Sequence, residues 1–333
     1  MLEHGGRLRA ASRHWGIPLA EWIDLSTGIA PWPYPVQIGA SAWQRLPEDE
    51  DELVAIAAAY YGHPAPLPLP GSQAAIRELP WLFPPGSAVL PAPTYGEYAP
   101  AWRAAGHEVR EIASAELERA AAGARAGDIV MLANPNNPTA EHFPAERLLA
   151  LAEQLAQRGA WLVVDEAFAD AMPEHTLASR AGIANANLMV LRSLGKFFGL
   201  AGARVGFLCA APLLAAHLAA RLGPWAVAHP SRVAALQALG DRVWQTQQRR
   251  QLAVGTEALG RLLAQHGLDS AAGGELFRYT RCEAAAALHE HLARRGILVR
   301  HFDQPQARAL RFGLPASEAQ SQRLEQALDE WTR

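Results

Sequence analysis

The sequence predicts an α/β protein: a large α/β domain with a mostly parallel central sheet, followed by a smaller C-terminal α+β domain. Three observations carry that reading. Across residues 67–209, short apolar runs alternate with amphipathic stretches, the pattern of strands and crossover helices. After Pro224 the pattern changes to a long helix-rich stretch, and strand signals return only near Leu276. At 333 residues, 50% of them apolar, the chain is too long for one simple core and rich enough to bury two.

In chain order, residues 1–40 carry a Pro/Trp-rich stretch at 31–35 and read as an N-terminal arm rather than a core element. Residues 41–225 form the large domain, with strands predicted at 87–90, 129–133, 161–164, 188–191 and 205–209. Helices predicted at 73–82, 98–105 and 145–158 lie between them. Residues 226–333 form the small domain: a helix over roughly 229–265, a strand at 276–282 and a helix at 283–295. Two short strands around Leu298 and Leu310 and a final helix from Glu318 complete it.

Composition narrows the function. A net charge of -3 and a pI near 6.5 give no bulk attraction to nucleic acid or membrane, so a small-molecule partner is expected. Two cysteines, Cys209 and Cys282, exclude a disulfide framework and a multi-cysteine metal site, and favour a reducing cytoplasm. The first ten residues hold Glu3, His4, Arg7 and Arg9 without an apolar stretch, unlike a secretory signal. The apolar run 207–220 is broken by Pro212 and His217 and is too short to cross a bilayer.

Of the 30 basic residues, 29 are arginine, and Lys196 is the only lysine. Guanidinium stays protonated and is a poor nucleophile, whereas a lysine amine can lose its proton and attack a carbonyl. Chance survival of one lysine is the alternative.

In open α/β sheets ligands bind beyond the carboxyl ends of the strands, which is where the chemistry is sought. Asp165 ends an apolar strand there, and a buried carboxylate needs a cation or several donors. The protonated ring nitrogen of a heteroaromatic ligand would serve, as would an ordinary ion pair. Lys196 lies in Arg192-Ser-Leu-Gly-Lys-Phe-Phe-Gly-Leu-Ala-Gly-Ala-Arg204, where Ser193 and Arg204 can meet a phosphate near the amine. Gly71-Ser72-Gln73 opens a helix, so its amides and hydroxyl form an anion site or a plain N-cap. Asn137, in Asn134-Pro-Asn-Asn-Pro-Thr139, can donate its amide to a ligand oxygen or simply shape a turn. Tyr95 can stack on a flat ring or fill core.

Together these motifs resemble the fold-type-I, class-II-like aminotransferases over nearly the whole chain, adding Pro93-Thr-Tyr95, Asp165-Glu-Ala and Leu310-Arg-Phe-Gly313. The resemblance implies pyridoxal 5'-phosphate as cofactor, Lys196 as its Schiff-base lysine and Asp165 as partner of its pyridine nitrogen. It implies that Asn137 contacts the ring hydroxyl and Tyr95 stacks on the ring. Gly71, Ser72, Gln73, Ser193 and Arg204 would hold the cofactor phosphate, and Arg311 the substrate carboxylate.

Within that family, His4-Gly-Gly-Arg-Leu and Ile23-Asp-Leu-Ser-Thr-Gly-Ile-Ala-Pro31 are similar to the threonine-phosphate decarboxylases of cobalamin biosynthesis, aerobic form. That likeness implies release of CO2 from L-threonine O-3-phosphate to give (R)-1-amino-2-propanol O-2-phosphate. It makes His4, Arg7 and Arg300 candidate ligands of the substrate phosphate, and implies a homodimer. The chain departs from many relatives in having Phe168 where they carry tyrosine, and Leu46 before Pro47.

Two other activities compete, beside a non-catalytic relative acting as a binding protein, against which the intact Lys196 and Asp165 argue. Histidinol-phosphate or other amino-acid aminotransfer would follow if the Cα hydrogen, not the carboxylate, stood perpendicular to the ring plane. Ser193-Leu-Gly-Lys196 also fits the Ser-x-x-Lys pattern of a serine hydrolase, though no second lysine exists to complete it.

Overall fold

The structure, a computed structural model, describes residues 5–271, 274–304 and 307–332. In chain order the strands are β1 (Ile23–Leu25), β2 (Leu67–Leu69), β3 (Ser87–Pro91), β4 (Glu108–Ile112), β5 (Ile129–Ala133) and β6 (Trp161–Asp165). They continue with β7 (Leu188–Ser193), β8 (Gly206–Cys209), β9 (Ser270–Ala271), β10 (Phe277–Arg281), β11 (Ile297–Gln304) and β12 (Ala307–Gly313). They form a seven-stranded sheet, ordered β2-β8-β7-β6-β5-β3-β4, and a five-stranded sheet, ordered β1-β11-β12-β10-β9.

In the large sheet β4, β3, β5, β6 and β7 run parallel, while β8 and β2 close one edge antiparallel. β3, β5, β6 and β7 read as largely apolar runs because helices cover both faces, whereas β4, at the edge, does not. Alternate side chains divide between two cores. Val130, Leu132, Val164 and Val190 meet Leu148, Leu151 and Leu155 of helix Ala145–Ala156 on one face. Met131, Ala133, Val163 and Leu191 meet Ile76, Tyr98 and Trp102 on the other, from helices Ser72–Glu78 and Tyr98–Ala104. The same alternation sends Asp165 and Ser193 toward the second face and Arg192 toward the first.

Several expectations change. The first forty residues are not simply an arm. β1 pairs in parallel with β11, and Trp22, Ile23 and Leu25 are buried, so this segment is part of the small sheet's core. The single helix predicted over 229–265 is two, His229–Gly240 and Arg242–Gln265. Asp241 leaves helical geometry and accepts the Trp244 N–H at 2.9 Å, capping the second helix. The helix predicted at 73–82 ends at Glu78 and tightens into a 3-10 turn carrying Pro80. The two short strands near Leu298 and Leu310 are eight and seven residues long and pair antiparallel. β2 and β4 went unpredicted because Pro68 interrupts one and charged Glu108, Arg110 and Glu111 dominate the other.

One charge cluster is buried beside the carboxyl ends of β6 and β7. Arg192 donates to Glu166 and to Asp170, both at 2.5 Å, with all three side chains at most 2% exposed. Glu166 also accepts the Thr176 hydroxyl and the Leu177 N–H, and the guanidinium lies 4.9 Å over the Tyr61 ring. Among the described residues no helix is long and apolar enough to cross a membrane, and no group of three metal-ligating side chains occurs.

Candidate active site

The carboxyl ends of β5, β6 and β7 deliver Ala133, Asp165 and Ser193 into one open-mouthed cavity. Ser72, Gln73, Tyr95, Asn137, Lys196 and Arg204 complete its polar wall, and Phe168 and Ile76 its apolar wall. Eight of the nine residues predicted to hold the cofactor therefore line a single pocket. The ninth, Gly71, stands directly behind it.

Lys196 is carried by the loop after β7, which the N-terminal segment clasps. The Lys196 carbonyl accepts the Ala30 N–H and the Phe198 carbonyl the Tyr34 N–H, both at 2.9 Å. Burial lowers the Lys196 pKa to about 8, the nearby Arg311 and Arg204 push the same way, and Asp165 opposes them. An amine so tuned is partly unprotonated near neutral pH. Its ammonium sits 5.4 Å over the Phe168 ring.

Asp165 is buried, with Oδ1 accepting the Ala167 N–H at 3.0 Å and Oδ2 the Tyr98 hydroxyl at 2.8 Å. Burial raises its pKa, while Tyr98, the Ala167 amide, Lys196 and Arg192 hold it down. Tyr95 donates its hydroxyl to Gln73, whose amide donates on to Glu97, fixing the ring at the pocket edge. Burial first, then Glu97 and Asp165, push its phenol up to about 12.

At the far end Ser72, Ser193 and Arg204 converge. Arg204 sits in the left-handed region at φ 53, and its guanidinium packs on Gly71. A Cβ at Gly71 would lie 2.8 Å from Arg204 Nη2, and one at Gly206 would lie 2.5 Å from the Ser72 amide nitrogen. Gly206 has backbone on every near side and no room for a Cβ, whereas Gly71 is favoured by its left-handed φ of 77.

Arg311, on β12, is buried and donates from Nη1 to Asn137 Oδ1 and from Nη2 to the Ser26 carbonyl at 2.8 Å. Burial lowers its pKa to about 10, with Arg300 adding to the effect and Asp24 opposing it. Because the Asn137 oxygen is engaged, its amide hydrogens remain to donate. The proposed phosphate ligands fare differently. Arg300 stands across from Arg311 in the β11–β12 register, its guanidinium 5.1 Å over the Phe302 ring; neither arginine is among the residues lining the pocket, though Arg311 is tied to it through Asn137. Arg7 is exposed in a separate surface hollow with Arg9 and Arg13, so the structure does not bring it to the pocket. His4 lies outside the described residues. The sequence reading missed Tyr98 and the Ser26 carbonyl.

Residues 46–329 match the sequence profile of the aminotransferases of class I and II. The chain belongs to that family. Its fold is the fold-type-I aminotransferase fold. The histidinol-phosphate aminotransferase of Sinorhizobium meliloti, solved with pyridoxal-5'-phosphate, superposes with a TM-score of 0.86 at 23% identity, covering 100% of this chain and 95% of that one. The L-threonine-O-3-phosphate decarboxylase of Porphyromonas gingivalis gives 0.77 at 22% identity, covering 92% and 98%. By sequence, a threonine-phosphate decarboxylase of Pseudomonas aeruginosa is 52% identical over 98% of this chain and 97% of its own. A histidinol-phosphate aminotransferase of Aeromonas hydrophila is 32% identical over 68% and 67%.

The pocket fits the family's cofactor. It offers a buried carboxylate for a ring nitrogen, a lysine of lowered pKa for an aldehyde, and a cradle of two hydroxyls and a guanidinium, backed by Gly71 and Gly206, for a phosphate.

Proposed function

We propose that this chain is a pyridoxal-phosphate-dependent decarboxylase of L-threonine O-3-phosphate, yielding CO2 and (R)-1-amino-2-propanol O-2-phosphate in cobalamin biosynthesis. The observation that carries the reading is end-to-end identity of 52% with a threonine-phosphate decarboxylase, in a chain whose single lysine lines the pocket.

When bound, the cofactor supplies an electron sink for the pair left behind as the substrate's bond to its carboxylate breaks. The protein's part is to bind, orient and move protons. Lys196 anchors the aldehyde carbon through Nζ. Asp165 keeps the ring nitrogen protonated, because a buried anion favours a cation beside it. Ser72, Ser193 and Arg204 bind the cofactor phosphate, and the Asn137 amide donates to the ring oxygen. Arg311, already gripped through one nitrogen of each arm, presents a fixed fork to the substrate carboxylate and sets its angle to the ring plane. When CO2 leaves, a proton must return to the substrate Cα, and the Lys196 Nζ is placed to give it.

In this reading the protein is a cytoplasmic homodimer. Cys209 and Cys282 are both free thiols, and Trp43, Leu46 and Trp225 expose 70%, 63% and 57% of their surface, apolar area that a second copy would cover. Aminotransfer is the competing reading, favoured by the 32% identity to a histidinol-phosphate aminotransferase. Incubation with carboxyl-labelled threonine phosphate separates the two. Labelled CO2 equimolar with phosphorylated amine is expected, and a keto acid without CO2 would overturn the assignment.

A further inference from the structure

We propose that Tyr98 is a positioning residue for the cofactor site: its hydroxyl holds Asp165 in orientation and keeps the carboxylate ionised against the ring nitrogen. The inference rests on the cofactor reading above and deepens it.

Tyr98 is the first residue of helix Tyr98–Ala104 and is 1% exposed, with its ring against Tyr95 at 5.4 Å and 80°. Phenylalanine would fill the same apolar space. The hydroxyl instead donates to Asp165 Oδ2 at 2.8 Å, across 67 residues of sequence. With Oδ1 taken by the Ala167 amide, each carboxylate oxygen has one fixed donor, so the plane of the group cannot turn. Each oxygen keeps lone-pair capacity, and both Asp165 and Tyr98 line the cavity.

The second effect is on proton affinity. Donation to the ionised form stabilises it, opposing the burial that raises the Asp165 pKa. A carboxylate held ionised leaves a shared proton on the ring nitrogen, the form in which the ring withdraws electrons. The charged and titratable groups that face Asp165 are Tyr98 from its helix, Tyr95 from the loop after β3 and Lys196 from the loop after β7, while Arg192, on the opposite face of β7, acts on it through the sheet. Of these, only Tyr98 is hydrogen-bonded to it.

The test is Tyr98→Phe in the full chain. In carbon-13 carboxyl-labelled protein without cofactor, the Asp165 titration should move up by about one pH unit. In the pyridoxal-phosphate-loaded protein, turnover should fall roughly ten- to a hundredfold with KM within about twofold, and cofactor affinity should weaken about tenfold. A purely space-filling role would lower thermal stability without moving the Asp165 titration. Replacing tyrosine by 3-fluorotyrosine, a stronger donor of nearly the same size, should move that titration down, and it serves if Tyr98→Phe does not fold. An Asp165 titration unmoved by either change overturns the proposal. Wild-type protein that takes up no pyridoxal phosphate would instead sink the cofactor reading, leaving the cofactor-free titration to judge the Tyr98 contact.

Discussion

Asp165 and Glu166 are adjacent, both buried, and face opposite sides of the large sheet. Glu166 is saturated: Arg192, Thr176 and the Leu177 amide occupy its oxygens, and Asp170 shares the guanidinium. Asp165 accepts one phenol and one backbone amide and has no arginine or lysine within ion-pair distance among the described residues. Glu166 has its counter-ion in place inside the fold, whereas Asp165 faces a cavity without one, as a carboxylate meant to meet a ligand's cation would. The strand alternation that puts Ser193 in the pocket puts Arg192 behind it, so the two roles are separated by a single residue step.

Removing each partner in turn separates the two roles. Arg192→Met strands two buried carboxylates and should cost about 3–5 kcal/mol of stability in denaturant unfolding. Loss of less than about 1 kcal/mol would erase the distinction. Asp165→Asn should leave stability within about 1 kcal/mol of wild type, because it removes a buried charge without a buried counter-ion. Its turnover should nonetheless fall about 10²–10³-fold, measured as CO2 release.

The smallest effect concerns Lys196, whose folded pKa of about 8 lies below its ordinary 10.5. Between those values the unfolded chain binds the extra proton, so stability should rise with pH across that window. The penalty is fully present below pH 8 and gone above 10.5. Lys196→Met should flatten that slope in unfolding measured from pH 7.5 to 10.5 without cofactor.

What the sequence made legible was local. Lys196, Asp165, Ser193 and Asn137 each follow an apolar run that could only be a covered strand, and the rule that ligands sit at strand ends did the rest. What it hid was contact at long range. Nothing near Tyr98 announces a bond to Asp165, and the Arg311–Asn137 contact spans 174 residues. The Arg192 cluster likewise draws on three separate segments. The small sheet was underread because β1 is three residues long and finds its partner only after Gly296.

The cradle around Gly71 has an implication for the life of the chain. Residues 71–73, 193 and 204 are brought together only when β2, β8 and β7 are paired, so an unfolded chain carries no equivalent of it. Any ligand seated there acts as ballast for the native state alone, worth about 2.7 kcal/mol at a hundredfold excess over its Kd. A phosphate-bearing ligand held there should therefore slow proteolysis of the chain in proportion to its concentration over Kd.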